Sequence, residues 1–233
     1  MTRGGIFTIT SGTKIRWLCS HCLATAILAF PPGLFTLQAQ VVPSFPRLTF
    51  TKILKGSSPE YMALSIDATG NGTYDSRKLD DPSAPRPLQV SAGTAARIFS
   101  LAESLGYFRS VDLNSHHKVA NMGMKTLTYE AGNETSKVQY NYTENRTAQQ
   151  LTDILEKIGN VEERISQLEY DMKYDPLGLP QTLLQIEEGL DDNDFVEPAL
   201  MIPTLQKIST NSRFMHLAQS RAEGIVQRVQ GNR

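Results

Sequence analysis

The run from Thr147 to Tyr174 sets the tightest limit on how this chain folds. Its apolar residues Leu151, Ile154, Ile158, Val161, Ile165, Leu168 and Met172 recur in alternating steps of three and four. That spacing puts them on one stripe of a single helix and excludes a strand. The stripe predicts a helix over 147–174, with Gly159-Asn160 as a bend or break. It also divides the chain into a β-rich segment before it and an all-helical tail after it, and each half needs an apolar surface to lie against.

The segment before the stripe reads as strands, a helix and further strands. Leu48-Thr49-Phe50-Thr51 alternates apolar with β-branched polar residues, and after the turn Gly56-Ser57-Ser58-Pro59 the run Tyr61–Asp67 does so again, with Met62, Leu64 and Ile66 facing inward. Ala68-Thr69-Gly70-Asn71-Gly72 tolerates positive φ and Thr73–Ser76 resumes the extended pattern, so a β-hairpin is expected. Leu79–Pro87, with Pro82, Pro85 and Pro87, reads as a surface loop. A helix then starts at Ser91 as cap, turns Ala95, Ile98, Phe99, Ala102 and Leu105 inward, and stops at Gly106. The polar loop Asn114–Asn121 leads to strands over Lys125–Tyr129 and Lys137–Tyr142, joined through Ala131-Gly132-Asn133. The expected fold class is α+β: an antiparallel β-sheet packed against helices, followed by an all-α helical tail. Three segments follow: 1–40 as signal peptide, 41–158 as the sheet domain, and 159–233 as the continuation of the long helix with its helical extension.

That order brings a family resemblance. Gly56-Ser57-Ser58-Pro59-Glu60-Tyr61 before an alternating strand, the Asn71-Gly72-Thr73-Tyr74 turn, a helix ending in Gly106-Tyr107-Phe108, and a late strand pair before a closing helix together resemble the bacterial exported family called domain of unknown function 6438. Members open with Cys-x-Gly-x-Cys-Pro-x-Tyr. Here Gly56, Pro59 and Tyr61 match, whereas Leu54 and Ser58 stand at the cysteine positions. The resemblance covers about residues 48–158 and implies a similar fold and export from a bacterial cell. It brings no activity with it.

The amino terminus points the same way. A basic, acid-free start from Met1 to Arg16 leads into the apolar run Trp17–Leu37, interrupted by Pro31-Pro32-Gly33 and followed by Gln38-Ala39. This is the layout of a secretory signal peptide cut after Ala39 or Gln40, so the chain is expected to be secreted or periplasmic. The rival reading is an uncleaved anchor, since the run approaches the roughly 20 residues that span a bilayer. Cys19 and Cys22, with His21 between them, sit inside this segment. Cleavage would leave a body with no thiol nucleophile, no disulfide and no thiolate metal site, and no membrane attachment. It would also leave 20 basic and 24 acidic residues, a net charge of −4 that argues against a nucleic-acid partner.

The long helix has a second reading as a parallel homodimer through 147–174. In a two-stranded coil Lys157 would meet Glu162 of a second copy, and Arg164 would meet Glu169. Packing of the stripe within its own chain is the alternative. Beyond the linker Asp175–Pro180 the pattern predicts helices over 181–188, 194–208 with a kink or split at Pro203, and 212–230. The last presents Phe214, Leu217, Ala218, Ala222, Ile225, Val226 and Val229 on one face.

Chemistry-bearing residues are sparse. His116-His117 near Asp112 is the one loop on which a hydrolase or metal-dependent enzyme could be built, but neighbours in an extended segment point to opposite sides. Asp191-Asp192-Asn193-Asp194 lacks the glycine and closing glutamate of a calcium loop, so helix capping explains it better. Glu187-Glu188 reads as a solvated helix face. Asn71, Asn133, Asn141 and Asn145 begin Asn-x-Thr sequences, with Asn141 expected to point outward. No phosphate-cradling loop, nucleophile elbow or zinc-protease motif occurs. No catalytic, cofactor-binding or metal-ligating residue is therefore assigned. The favoured reading is a non-enzymatic module that binds a protein or envelope partner through the exposed sheet face or the helical tail.

Overall fold

Alternation of apolar and polar side chains builds strands here because every second side chain returns to the same face. In the computed structural model, which describes residues 45–231, that alternation gives β1 (Arg47–Ile53), β2 (Tyr61–Asp67) and β3 (Asn71–Arg77). The signal-peptide reading and the Cys19/Cys22 pair lie outside the described residues. Next come β4 (Arg86–Gln89), α1 (Ala92–Ser104), β5 (Met124–Ala131), β6 (Glu134–Tyr140), α2 (Arg146–Tyr174), α3 (Leu179–Asp191), α4 (Ile202–Ser209) and α5 (His216–Gly231). The strands form one antiparallel sheet in the order β4-β3-β2-β1-β5-β6. The fold is α+β, with the all-helical part after the sheet.

Local chemistry explains the turns. Asp67 accepts hydrogen bonds from Thr69 N at 2.9 Å, Thr69 Oγ1 at 2.6 Å and Asn71 N at 3.1 Å, which closes the β2–β3 hairpin. Burial pushes its carboxyl up, but those bonds and the charge of Arg47 outweigh it and hold the pKa below the ordinary value. In the β1–β2 turn Gly56 takes φ +82°, and the Ser57 hydroxyl lies 2.6 Å from both the Leu54 and the Pro59 carbonyl oxygens, either of which can accept its proton.

One expected loop is partly a strand. β4 lies within and just after the proline-rich stretch, with Pro87 opposite Thr73. An edge strand has outer amides with no partner, so proline is tolerated there.

The inward-facing residues of the sheet and α1 form one hydrophobic cluster with the first half of α2, from Ala148 to Ile158. The second half, Val161 and Leu168, belongs to another cluster with α3, α4 and α5. Leu151, Ile158, Val161 and Leu168 are fully buried, while Ile165 and Met172 are partly buried. The stripe therefore packs inside its own chain.

Gly159 does not break the helix, which runs continuously from Arg146 to Tyr174. A Cβ built on it would lie 2.5 Å from Met62 Sδ, so the glycine is where α2 comes down onto the sheet. The charges expected to face a second copy are also engaged internally. Arg86 of β4 donates to Glu162 at 3.2 Å, Ser166 at 2.7 Å and Glu169 at 3.0 Å, and Arg164 donates to Gln185 at 2.8 Å.

The tail departs from expectation at Pro180. Pro180 and Pro203 sit in the first turns of α3 and α4, where the missing amide would have had no helical acceptor. The 194–208 pattern is split rather than kinked: a short 3-10 turn, Pro198–Met201, comes first, and Pro203 stands in the first turn of the helix that follows. Leu217, expected inward, lies exposed in the first turn of α5.

The segment before that 3-10 turn reaches back to the sheet domain. Glu197 accepts hydrogen bonds from Ser91 N at 3.1 Å and from Ser91 Oγ, while Ser91 Oγ accepts from Thr94 N. The start of α1 is capped by its own serine and by a carboxylate 106 residues away.

Candidate functional site

Because α2 sits so low over β2 and β3, it leaves a concavity where it passes beyond the sheet and α3 returns beside it. This groove of about 680 Å3 takes its walls from the β1–β2 turn, β2, β3, α2, α3 and the residues just after α3. Met62, Tyr74 and Gly159 are at its base; Glu163, Glu188, Asp192, Asp194 and Arg164 supply the charged lining. Carboxylates outnumber cations four to one, so the local field is negative.

Tyr74 is 1% exposed, and its hydroxyl donates to Glu163 Oε2 at 3.5 Å. Ser76 Oγ donates to the same oxygen at 3.1 Å. Burial pushes the Tyr74 phenol up beyond the ordinary range; the charges of Glu163 and Glu162 add to the rise, and a hydrogen bond with Ser76 opposes it. The phenol therefore remains neutral at physiological pH. The walls are braced: Asn160 Nδ2 donates to the Asp194 carbonyl at 3.3 Å, and the Arg164–Gln185 bond ties α2 to α3. A ligand meets an acidic, hydrogen-bonding surface that is already in place.

The lining contains four carboxylates, one arginine and no histidine, cysteine or lysine. Such a surface can hold a cationic or amide-rich group by charge and hydrogen bonding. Among the described residues, no group of three or more His, Cys, Asp or Glu is placed to hold a metal ion.

The residues singled out from sequence fall elsewhere or take other roles. His116 and His117 face solvent and address different carboxylates, Asp112 at 3.8 Å and Glu144 at 3.7 Å. Asp191–Asp194 ends α3: Asn193 adopts φ +58° and Asp194 N donates to the Gly189 carbonyl at 2.8 Å. Asp191 accepts from Arg228 at 2.7 Å and Glu187 from Arg221 at 2.8 Å, which joins α3 to α5. Glu188, Asp192 and Asp194 are the members of these acidic runs that reach the groove.

Asn145 caps α2 by accepting from Ala148 N at 3.1 Å. Asn141 does not simply point outward: its side chain accepts from Met122 N at 2.7 Å and donates to the Ala120 carbonyl at 2.8 Å, holding the preceding loop.

No family model matches the chain, and neither does any curated protein. Among the described residues no helix is long and apolar enough to cross a membrane. Sequence reasoning missed the groove because its base and walls come from positions with unrelated local roles. Tyr74 resumed a strand, Arg164 flanked a stripe, Gly159 marked a bend or break, and Glu163 carried no signal of its own.

Proposed function

We propose that the protein is an exported, non-enzymatic binding module whose acidic groove accepts a cationic or amide-rich segment of a protein or envelope partner. The observation that carries this reading is the braced groove with a neutral, buried Tyr74 hydroxyl and four carboxylates. Export rests on the amino-terminal layout and on the resemblance to domain of unknown function 6438. A second copy docking through 147–174 fits less well, since that stripe is covered by the chain's own sheet and tail.

The test uses protein recovered from the medium or periplasm of a bacterial host, where the expected mass is that of a chain starting at Gln40 or Val41. A fluorescently labelled lysine-rich peptide is then titrated against it. The double variant Glu163→Gln, Asp192→Asn is expected to weaken binding roughly tenfold, the sum of two partly screened charge pairs. Unchanged affinity would sink the groove as the binding site. The rival reading, a metal-dependent hydrolase on the His116-His117 loop, would regain ground if purified protein held stoichiometric metal whose chelation lowered its thermal stability.

A further inference from the structure

A second cleft, of about 730 Å3, opens between the end of α2, the end of α4 and the α4–α5 connection. It has the opposite charge. Lys173, Lys207 and Arg213 line it, no carboxylate does, and among the described residues none of these cations enters a salt bridge. Lys173 and Lys207 lie in the last turns of α2 and α4, where a cation complements the helix dipole. Arg213 lies in neither helix, so the dipole gives no reason for it. In a chain with an acidic net balance, three unpaired cations from separate segments facing one concavity form a local positive site.

The lining also has an apolar part, Met172, Pro176 and Phe214, beside the three cations.

We infer that this cleft binds an acidic peptide segment of a partner protein, with carboxylates seated against Lys173, Lys207 and Arg213 and flanking apolar side chains laid on Met172, Pro176 and Phe214. The concave shape favours an inserted segment over a flat bilayer, which would span the opening and leave the cleft filled with water. The site is separate from the acidic groove and does not depend on it.

A labelled peptide of alternating glutamate and leucine, with a glutamine-for-glutamate control, is titrated by fluorescence anisotropy. Binding is expected for the glutamate peptide and to weaken as salt rises from about 0.05 to about 0.5 M. The neutralised variant Lys173→Gln, Lys207→Gln, Arg213→Gln should lose roughly tenfold or more in affinity, as three exposed charge pairs allow. All three positions are exposed, and circular dichroism checks that the variant keeps its fold. Glu163→Gln should leave this binding unchanged, which separates the cleft from the groove. Three results would overturn the inference: no binding, equal affinity of the neutralised variant, or capture by anionic phosphatidylglycerol vesicles but not by the peptide.

Discussion

The contact at Gly159 makes a sharp prediction because two effects of known size oppose each other there. Replacing a helix-interior glycine by alanine gains about 0.8–1.0 kcal/mol from backbone propensity. At this position the new Cβ would meet Met62 Sδ at 2.5 Å and Met62 Cε at 3.3 Å, with Tyr74 Cε2 at an ordinary 3.8 Å. Overpacking costs about 1–3 kcal/mol, and the flexible end of Met62, which can swing aside, keeps the cost near the bottom of that range, so Gly159→Ala should change the stability of the native protein by no more than about 1 kcal/mol net. In a Met62→Ala background the obstruction is gone, and the same substitution should stabilise by about 1 kcal/mol. The double-mutant cycle should therefore show a coupling of about 1 kcal/mol. Urea denaturation measures it as shifts in midpoint at unchanged slope. If Gly159→Ala changes stability equally in both backgrounds, α2 does not press on Met62, and the base of the acidic groove is not built as described.

Two further predictions concern buried charge. Burial pushes the Glu162 carboxyl up and Arg86 pulls it back, so the folded state binds that proton more tightly than the unfolded chain, and stability falls as pH rises above the ordinary carboxylate value of 4.5. Arg86→Ala should deepen that fall, costing about 2–3 kcal/mol near pH 7, less than for a fully buried pair because Arg86 is 33% exposed. The loss should be much smaller near pH 4, where protonated Glu162 needs no counter-charge; an equal loss in urea melts at both pH values would refute it. Lys125 is buried with its ammonium donating to the carbonyls of Met122, Gly123 and Asn141 at 3.2, 3.4 and 3.1 Å. Lys125→Met should cost about 1–3 kcal/mol and speed amide exchange at residues 121–124 while leaving α3–α5 protected. Uniform acceleration across the helical tail would contradict this local role.

Much of the architecture was legible because it follows from local periodicity. The stripe on 147–174, the alternation in β1, β2, β5 and β6, the Ser91 cap and the glycine-rich hairpin turns each specify an element through side chains a few residues apart. The long helix, its burial and the α+β class followed. What misled were residues whose meaning changes with position in space: Gly159 as a possible break and Pro87 as loop. Glycine inside a helix signals equally a weak point or a close approach, and only the neighbour across the gap decides which.

The acidic groove was illegible for the same reason at longer range. Ser76 and Glu163, which share a hydrogen bond, are 87 residues apart, and Ser91 and Glu197 are 106 apart. No periodicity links such pairs. Sequence alone determined which segments are helical or extended and which faces are apolar, because those depend on neighbours along the chain. Tertiary structure decided where α2 crosses the sheet, which carboxylates gather around Tyr74 and which cations, Lys173, Lys207 and Arg213, come together at the second cleft. Those depend on distances set only when two hydrophobic clusters close around one shared helix.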